Sequence, residues 1–287
     1  MLPEPHIGEL SQRRFRQIST LIEERVGIRL PPAKRSMVEG RLRKRALGLG
    51  MADVDAYCAA LFDQGLLADE YQHIVDLVTT NKTDFFREPE HFEFLAQVAV
   101  PEVLALPGRT RQPVKLWSAA ASTGAEAYTL AMVMAELARA GQVPPGFRIL
   151  ATDVSTQVLE AGHRAIYPAA MLAPVPAALR QRHTLRPRDP ERQELRIAPE
   201  LRAAVTFRQL NLMEERYAVD RDMDVIFCRN VLIYFEPPVQ QAVLKRLCAH
   251  LRPGGFLVVG HAESAAGSGL PGMQPVRPTI WQREGGA

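Results

Sequence analysis

From Val114 onward the chain alternates short apolar runs with helix-patterned segments, and no other feature restricts the fold as much. "VKLWSAA" reads as a strand running into a loop of small residues, and "ASTGAEAYTLAMVMAELARAG" as a helix with a Ser/Thr start and a Gly stop. "FRILATDVS" is a second strand, followed by the helix "STQVLEAGHRAIY", and "VTFRQLNL" and "DVIFCRN" are the third and fourth strands. "PPVQQAVLKRLCAHLRPGG" reads as a helix closed by a Pro-Gly-Gly turn, "FLVVGHAES" as a fifth strand and "PTIWQRE" as a last one. Such alternation predicts a doubly wound α/β sheet with its ligand crevice at the C-terminal ends of the strands.

Two stretches depart from this order. The first ~95 residues hold no convincing strand, and apolar positions such as Phe15, Ile18, Leu21, Ile22 and Val26 recur at helical spacing. A helical domain is expected over residues 1–80, a linker over 81–98 and the α/β domain over 99–287. Inside the latter, residues 169–204 interrupt the alternation with a short helix at 177–182, a charged turn and an alternating "QELRIA". A connection of that length has structure or function of its own, here a small antiparallel insert.

Polar residues gather where the strands end. In "DVIFCRNVLIYFEPP" a guanidinium and a carboxamide, Arg229 and Asn230, follow an apolar run; left unpaired in a core they would cost several kcal/mol, about 1–3 for a neutral group and more for a charge. Either the strand stops at Cys228 and the pair lies at an open sheet edge, or the pair waits for a ligand. The second strand ends in Asp153, placed either to accept ribose hydroxyls or to cap the next helix. The third ends near Asn211. "SAAASTGAEAY" keeps its side chains small where backbone approaches a ligand, without the GxGxxG of a dinucleotide fingerprint, which sets a nicotinamide dehydrogenase aside.

Charge is uneven. Between Ser11 and Arg45, Arg13, Arg14, Arg16, Arg25, Arg29, Lys34, Arg35, Arg41, Arg43, Lys44 and Arg45 stand against Glu23, Glu24 and Glu39, whereas the whole chain carries +3. Lys34, Arg41 and Arg45 fall within one helical ridge, which reads either as a solvated face or as a surface for an acidic partner. No aromatic residues are interleaved there for base stacking, so nucleic acid is not expected. Cys58, Cys228 and Cys248 lack CxxC spacing, which indicates neither a disulfide framework nor a metal centre. The N-terminal "MLPEPHIGEL" lacks signal-peptide regions and no apolar run nears the ~20 residues of a membrane span, so a cytoplasmic chain without membrane insertion is expected.

Taken together, "TTNKTDFFRE", "WSAAASTGAEAYTLA", "ATDVS", "LNL", "FCRNVLIYF" and "LRPGGFLVVGHAES" resemble the chemotaxis receptor methyltransferase (CheR) family over residues 10–283. The resemblance implies an N-terminal helical domain, a class I (Rossmann-like) S-adenosylmethionine-dependent methyltransferase domain with a small antiparallel β insert, and formation of γ-glutamyl methyl esters on cytoplasmic helices of chemoreceptors. It implies S-adenosyl-L-methionine as cofactor, S-adenosyl-L-homocysteine as product, no metal and a monomer. Carried over position by position, the family's cofactor contacts fall on Asn81, Thr83, Arg87, Glu126, Asp153, Asn211, Leu212, Arg229 and Asn230, and Tyr234 matches a tyrosine beside the reacting methyl group. Arg87 and Tyr234 are thus the expected catalytic residues, and Lys34, Arg41 and Arg45 the expected receptor contacts. Where the family usually reads GEEPY, this chain has Gly124-Ala125-Glu126-Ala127-Tyr128, losing an acid and a proline but keeping Glu126.

Some members hold a receptor C-terminal pentapeptide through a glycine-rich loop of the insert; "HTLRPRDPERQELRIAPEL" has no glycine and has prolines at 187 and 190, so a pentapeptide-independent enzyme is expected. The competing readings are a class I methyltransferase with another substrate and a non-catalytic binding module for the same cofactor.

Overall fold

The computed structural model describes residues 9–107, 109, 112–144, 146–189, 191–267 and 269–285; the start of the N-terminal segment and Pro190 lie outside them. The backbone divides into two compact units, Met1–Thr80 and Asn81–Ala287.

Among the described residues the elements of the first unit are all helical: α1 (Gln12–Val26), α2 (Arg35–Gly48), α3 (Val54–Asp63) and α4 (Leu67–Val78). Ser11 caps α1 by accepting the Arg14 N–H at 3.3 Å, and Gly27 ends it at φ 79°, a left-handed angle that glycine takes without strain. Phe15, Ile18, Ile22 and Val26 form its buried stripe. Pro31 caps and Pro32 opens a 3-10 turn that feeds α2, whose buried face is Val38, Leu42 and Ala46.

In the second unit, α5 (Glu90–Phe94) passes through a π turn into α6 (Val100–Ala105). There follow β1 (Val114–Ala119), α7 (Ala125–Arg139), β2 (Phe147–Asp153), α8 (Thr156–Arg164), β3 (Ile166–Pro168), α9 (Ala177–His183), β4 (Thr184–Leu185), β5 (Glu194–Ile197) and α10 (Pro199–Ala204). β6 (Val205–Gln209), β7 (Met223–Cys228), α11 (Pro237–Cys248), β8 (Leu251–Val259), β9 (Met273–Arg277) and β10 (Ile280–Arg283) complete it. The large sheet has the order β6-β2-β1-β7-β8-β10-β9, parallel from β6 to β8 and antiparallel beyond. The chain order reverses between β1 and β7, so the crevice of a doubly wound sheet opens there. The β7 run is buried along its whole length, as an inner parallel strand requires. Asp224, at its N-terminal end, is held by Arg109 and by Arg252 at 2.7 Å.

The fold class read from sequence stands, with local corrections. Pro253-Gly254-Gly255 is not a turn before the fifth strand but part of β8, where the register against β7 shifts and Gly254 takes φ 77°. Gly124, not Ser122 or Thr123, is the N-cap of α7. The helix after β2 stops at Arg164, and the next residues supply β3 to the small sheet β3-β5-β4, so that sheet begins upstream of residue 169. β9 was illegible because Pro275 and Pro278 punctuate it; as an edge strand it tolerates the missing N–H.

Candidate functional site

The loop leaving β1 at the reversal point is bent sharply: Ala120 has φ 60°, Ser122 φ 51° and Gly124 φ 87°. Glycine is required at 124, since a Cβ there would sit 2.8 Å from the Phe207 ring on top of the strained angle. Among the described residues the non-glycine positions with positive φ are Phe86, Glu88, Ala120, Ser122, Ala165, Asp222 and Asn230, and most of them surround this loop. Left-handed backbone at non-glycine residues costs free energy and persists where the surroundings over-determine it, commonly at functional sites.

Asp153, at the end of β2, accepts the Ser122 N–H at 2.9 Å through one oxygen and the Ser155 N–H at 3.0 Å through the other. Ser155 itself caps α8, so the capping alternative for Asp153 falls away. The Ser122 hydroxyl donates to the Asn81 carbonyl at 2.9 Å, tying the segment that carries Asn81 and Thr83 to the β1 loop. Next along the rim, Leu210 donates its N–H to the Asp153 carbonyl at 3.0 Å, which puts Asn211 beside the β2 exit. Asn211 Oδ1 accepts the Met213 N–H at 3.0 Å, and the buried Leu212 offers its carbonyl to Tyr217 and Arg246.

β7 ends at Cys228, as the polar residues after it demand, and Arg229 follows with its side chain 1 % exposed. The guanidinium donates to Glu126 at 3.0 Å and to Glu88 at 2.9 Å, and also to the Arg87 carbonyl. Glu126 is held further by the Ser118 hydroxyl at 2.7 Å, and Asn230 Nδ2 donates to Glu88 at 3.2 Å. Phe92 lies 5.4 Å below the guanidinium carbon and stacks on Phe227 at 5.8 Å, so the cation rests on an aromatic floor. The two carboxyls shift in opposite directions. Burial raises Glu126 despite the Arg229 charge, whereas at Glu88 the hydrogen bond and charge of Arg229, helped by Asn230, outweigh burial and lower it.

Arg87 is part-buried, with its guanidinium at a long 3.5 Å from the Lys82 carbonyl. Tyr234 is part-buried in the 3-10 turn Leu232–Tyr234 that leaves this rim. Two hydrogen-bond networks therefore stand at the ends of neighbouring strands: one ties Asn81 and Asp153 through Ser122, with Asn211 next to Leu210 in it, and the other joins Glu126, Arg229, Asn230 and the Arg87 backbone.

In the first unit, Arg45 forms a bidentate pair with Glu70, 2.8 Å at Nε, and Arg41 donates to the Leu77 and Thr79 carbonyls at the end of α4, at 3.0 and 2.8 Å. Both thus have structural work, which an isolated helical ridge does not reveal. Lys34 is part-buried where the 3-10 turn enters α2.

Sequence reasoning passed over Glu88, His91 and Glu263. Glu88 stands next to Arg87 in "FFREPEHF", and the need of a buried Arg229 for a counter-charge was the available signal. His91, 1 % exposed, bonds to the Thr279 hydroxyl through Nε2 at 2.8 Å; burial, then the nearby Arg229 charge, lowers its pKa to about 4. Glu88, His91 and His261 offer ligand-type atoms within 4.8 Å of one another. Both Glu88 oxygens already serve Arg229 and Asn230, so the trio belongs to the ion-pair network and not to a metal centre.

Comparison with known proteins agrees with this architecture. The model of the CheR methyltransferase SAM-binding domain matches residues 81–272, and that of the CheR all-alpha domain residues 13–79. The chain is 36% identical over 266 residues to a protein of Pseudomonas aeruginosa named chemotaxis protein methyltransferase 2, covering 91% of each. It is 39% identical over 255 residues to the chemotaxis protein methyltransferase of Escherichia coli, covering 89% of this chain and 85% of that one. With both units matched and a site assembled at the sheet reversal, the chain belongs to the CheR methyltransferase family.

Proposed function

We propose that the chain is a protein-glutamate O-methyltransferase that forms γ-glutamyl methyl esters on the cytoplasmic helices of chemoreceptors, using the β1–β7 rim to hold S-adenosylmethionine. The observation that carries this reading is the make-up of the rim: Arg229 alone faces two carboxyls, Glu88 and Glu126, and burial raises the pKa of Glu126, so the cluster has a place for a second cation. A low-dielectric site of that make-up favours a cationic ligand, and the ammonium of the cofactor answers it. Arg229 Nε and the Thr123 hydroxyl are buried without a partner among the described residues, further capacity for a polar ligand. Asp153 accepts the Ser122 N–H on one oxygen and the Ser155 N–H on the other, which fixes its carboxylate at the strand end where a ribose diol would donate. Asn81, Thr83, Asn211 and Leu212 complete the wall in this reading.

Bound there, S-adenosylmethionine supplies an electrophilic methyl group on a sulfonium. A substrate glutamate, with a reference pKa of about 4.3, is ionised at neutral pH, so no residue need act as general base. The protein's contribution is orientation and exclusion of water. Arg87 steers a carboxylate, and Tyr234 presents its ring or hydroxyl beside the sulfonium, a contact of up to ~2 kcal/mol when desolvated. The basic strip of the first unit meets the acidic receptor helices. Lys34, Arg41 and Arg45 belong to that strip, but reversing Arg41 or Arg45 would also disturb folding, so the exposed Lys44 is the cleaner probe. Lys44→Glu should raise the KM for receptor and leave cofactor affinity alone; an unchanged KM removes the strip from recognition.

The insert loop lacks glycine, and we read the enzyme as pentapeptide-independent, cytoplasmic and monomeric; micromolar binding of a receptor-tail pentapeptide in calorimetry overturns the first of these. Among the described residues no helix is long and apolar enough to cross a membrane. Mass spectrometry of chemoreceptor cytoplasmic fragments after incubation with labelled cofactor tests the whole reading. Base-labile methyl groups on glutamates are expected; base-stable label, or none despite tight cofactor binding, favours the other-substrate or binding-module alternative.

A further inference from the structure

Glu263 is 3 % exposed and lies in the 3-10 turn His261–Gly267 that follows β8. One carboxylate oxygen accepts the backbone N–H groups of Asn230 at 2.7 Å and Gly260 at 2.8 Å. The other accepts those of Leu232 at 2.6 Å and Ile233 at 3.3 Å. Four main-chain donors thus converge on one side chain, three of them from the segment that connects Arg229 to Tyr234. Asn230 takes φ 60° in that segment, a left-handed angle that a non-glycine residue holds only when its surroundings insist. Main-chain N–H groups that converge around such a bend make a concave site for an anion, and here the anion is an internal carboxylate. Gly260 permits the approach: a Cβ there would lie 2.7 Å from both Asn230 Nδ2 and Glu263 Oε2.

We propose that Glu263 is a positioning residue for methyl transfer: its carboxylate clamps the backbone of residues 230–233, so that the Asn230 amide meets Glu88 and the Tyr234 ring is delivered to the rim. This rests on the reading of that rim as the cofactor site. The chemistry selects glutamate. A carboxylate is acceptor-only on both oxygens, whereas glutamine would turn an NH2 group toward two N–H donors, and aspartate would hold its oxygens one methylene short.

The test uses the full chain, with cofactor affinity from calorimetry and kcat and KM from methyl transfer to a purified chemoreceptor cytoplasmic fragment. Rates are taken per folded molecule, well below the unfolding midpoint. Glu263→Gln should lower kcat about tenfold or more, the scale of a lost charge-assisted hydrogen bond, with KM for the fragment little changed. Glu263→Asp should fall between Glu263→Gln and the wild type. Gly260→Ala, which pries the same clamp, should repeat the signature and decides the matter if Glu263→Gln does not fold. Wild-type kcat and cofactor affinity in Glu263→Gln, with only the unfolding midpoint lowered, would reduce Glu263 to a structural carboxylate. Asn230→Ala is run in parallel. If it too keeps wild-type affinity and rate, the placement of the cofactor site is what fails; if it loses them while Glu263→Gln does not, only the clamp fails.

Discussion

Each unit of the chain pairs an arginine with glutamate, part-buried Arg45 in one and buried Arg229 in the other, yet the two clusters are built to different rules. In the helical unit Arg45 meets one carboxylate, Glu70, which is 4 % exposed, and Tyr57 closes the group by donating its hydroxyl to Glu70 at 2.7 Å. Charges balance, both carboxylate oxygens are engaged, and the cluster pins α2 to α3 and α4. In the methyltransferase unit one arginine serves two carboxylates, guanidinium and hydroxyl atoms stay unpartnered among the described residues, and the flanking backbone is strained at Glu88 and Asn230. A balanced cluster is complete by itself; an unbalanced one has its remaining interactions still to make. In the proposed reading, the difference separates a structural ion pair from one arranged for a ligand.

The comparison is most easily broken at the arginines. Arg229→Ala strands two buried carboxylates and should cost about 3–5 kcal/mol in urea unfolding, with cofactor binding lost. Arg45→Ala should also destabilise, but the molecules that remain folded should bind cofactor normally. Cofactor affinity that survives Arg229→Ala would erase the distinction.

Acid sharpens it next. His91 is held neutral in the folded state, with its pKa lowered to about 4 from an ordinary 6.5. The unfolded chain takes up a proton at higher pH than the folded one, so stability contributed by neutral His91 is whole above pH ~6.5 and drains as pH falls toward 4, on the order of 3 kcal/mol in total. Glu70 has the opposite arrangement: the Arg45 hydrogen bond lowers its pKa, and that pair persists until pH falls below the ordinary carboxylate range. Between pH 6.5 and 5 the methyltransferase unit should therefore weaken while the helical unit holds, and His91→Asn should flatten the difference in urea midpoints. Equal acid sensitivity in wild type and variant would place the titration elsewhere.

Arg87 probes the same rim without the burial. Among the described residues its guanidinium meets the Lys82 carbonyl at a long 3.5 Å, so Arg87→Ala should leave the unfolding midpoint nearly unchanged while the rate falls on the order of a hundredfold, about 2–3 kcal/mol in the barrier. Near-wild-type methyl transfer would remove Arg87 from the reaction.

Much of this was legible before any coordinates. The alternation of periods specified a doubly wound sheet, and the incongruity of Arg229 and Asn230 after an apolar run marked the end of β7 and the rim proposed as the site. Asp153 was left between two roles because a strand-end acid suits both ribose and a cap; only the Ser155 cap distinguishes them. Glu88 and Glu263 escaped because their partners lie far along the chain, so local pattern cannot pair them. Arg41 and Arg45 show the converse limit. A helical ridge reveals which residues share a face but not that another helix brings Glu70 and two carbonyls to meet them.

The central claim, that the unbalanced cluster and not the balanced one is the ligand site, is tested most directly by calorimetric titration of S-adenosylmethionine into Glu126→Gln and Glu70→Gln beside the wild type. Removing the second carboxyl in Glu126→Gln should weaken binding about tenfold or more, one charge-assisted hydrogen bond, while Glu70→Gln binds as the wild type does despite its lower stability. Undiminished affinity in Glu126→Gln, or an equal loss in both variants, would contradict it.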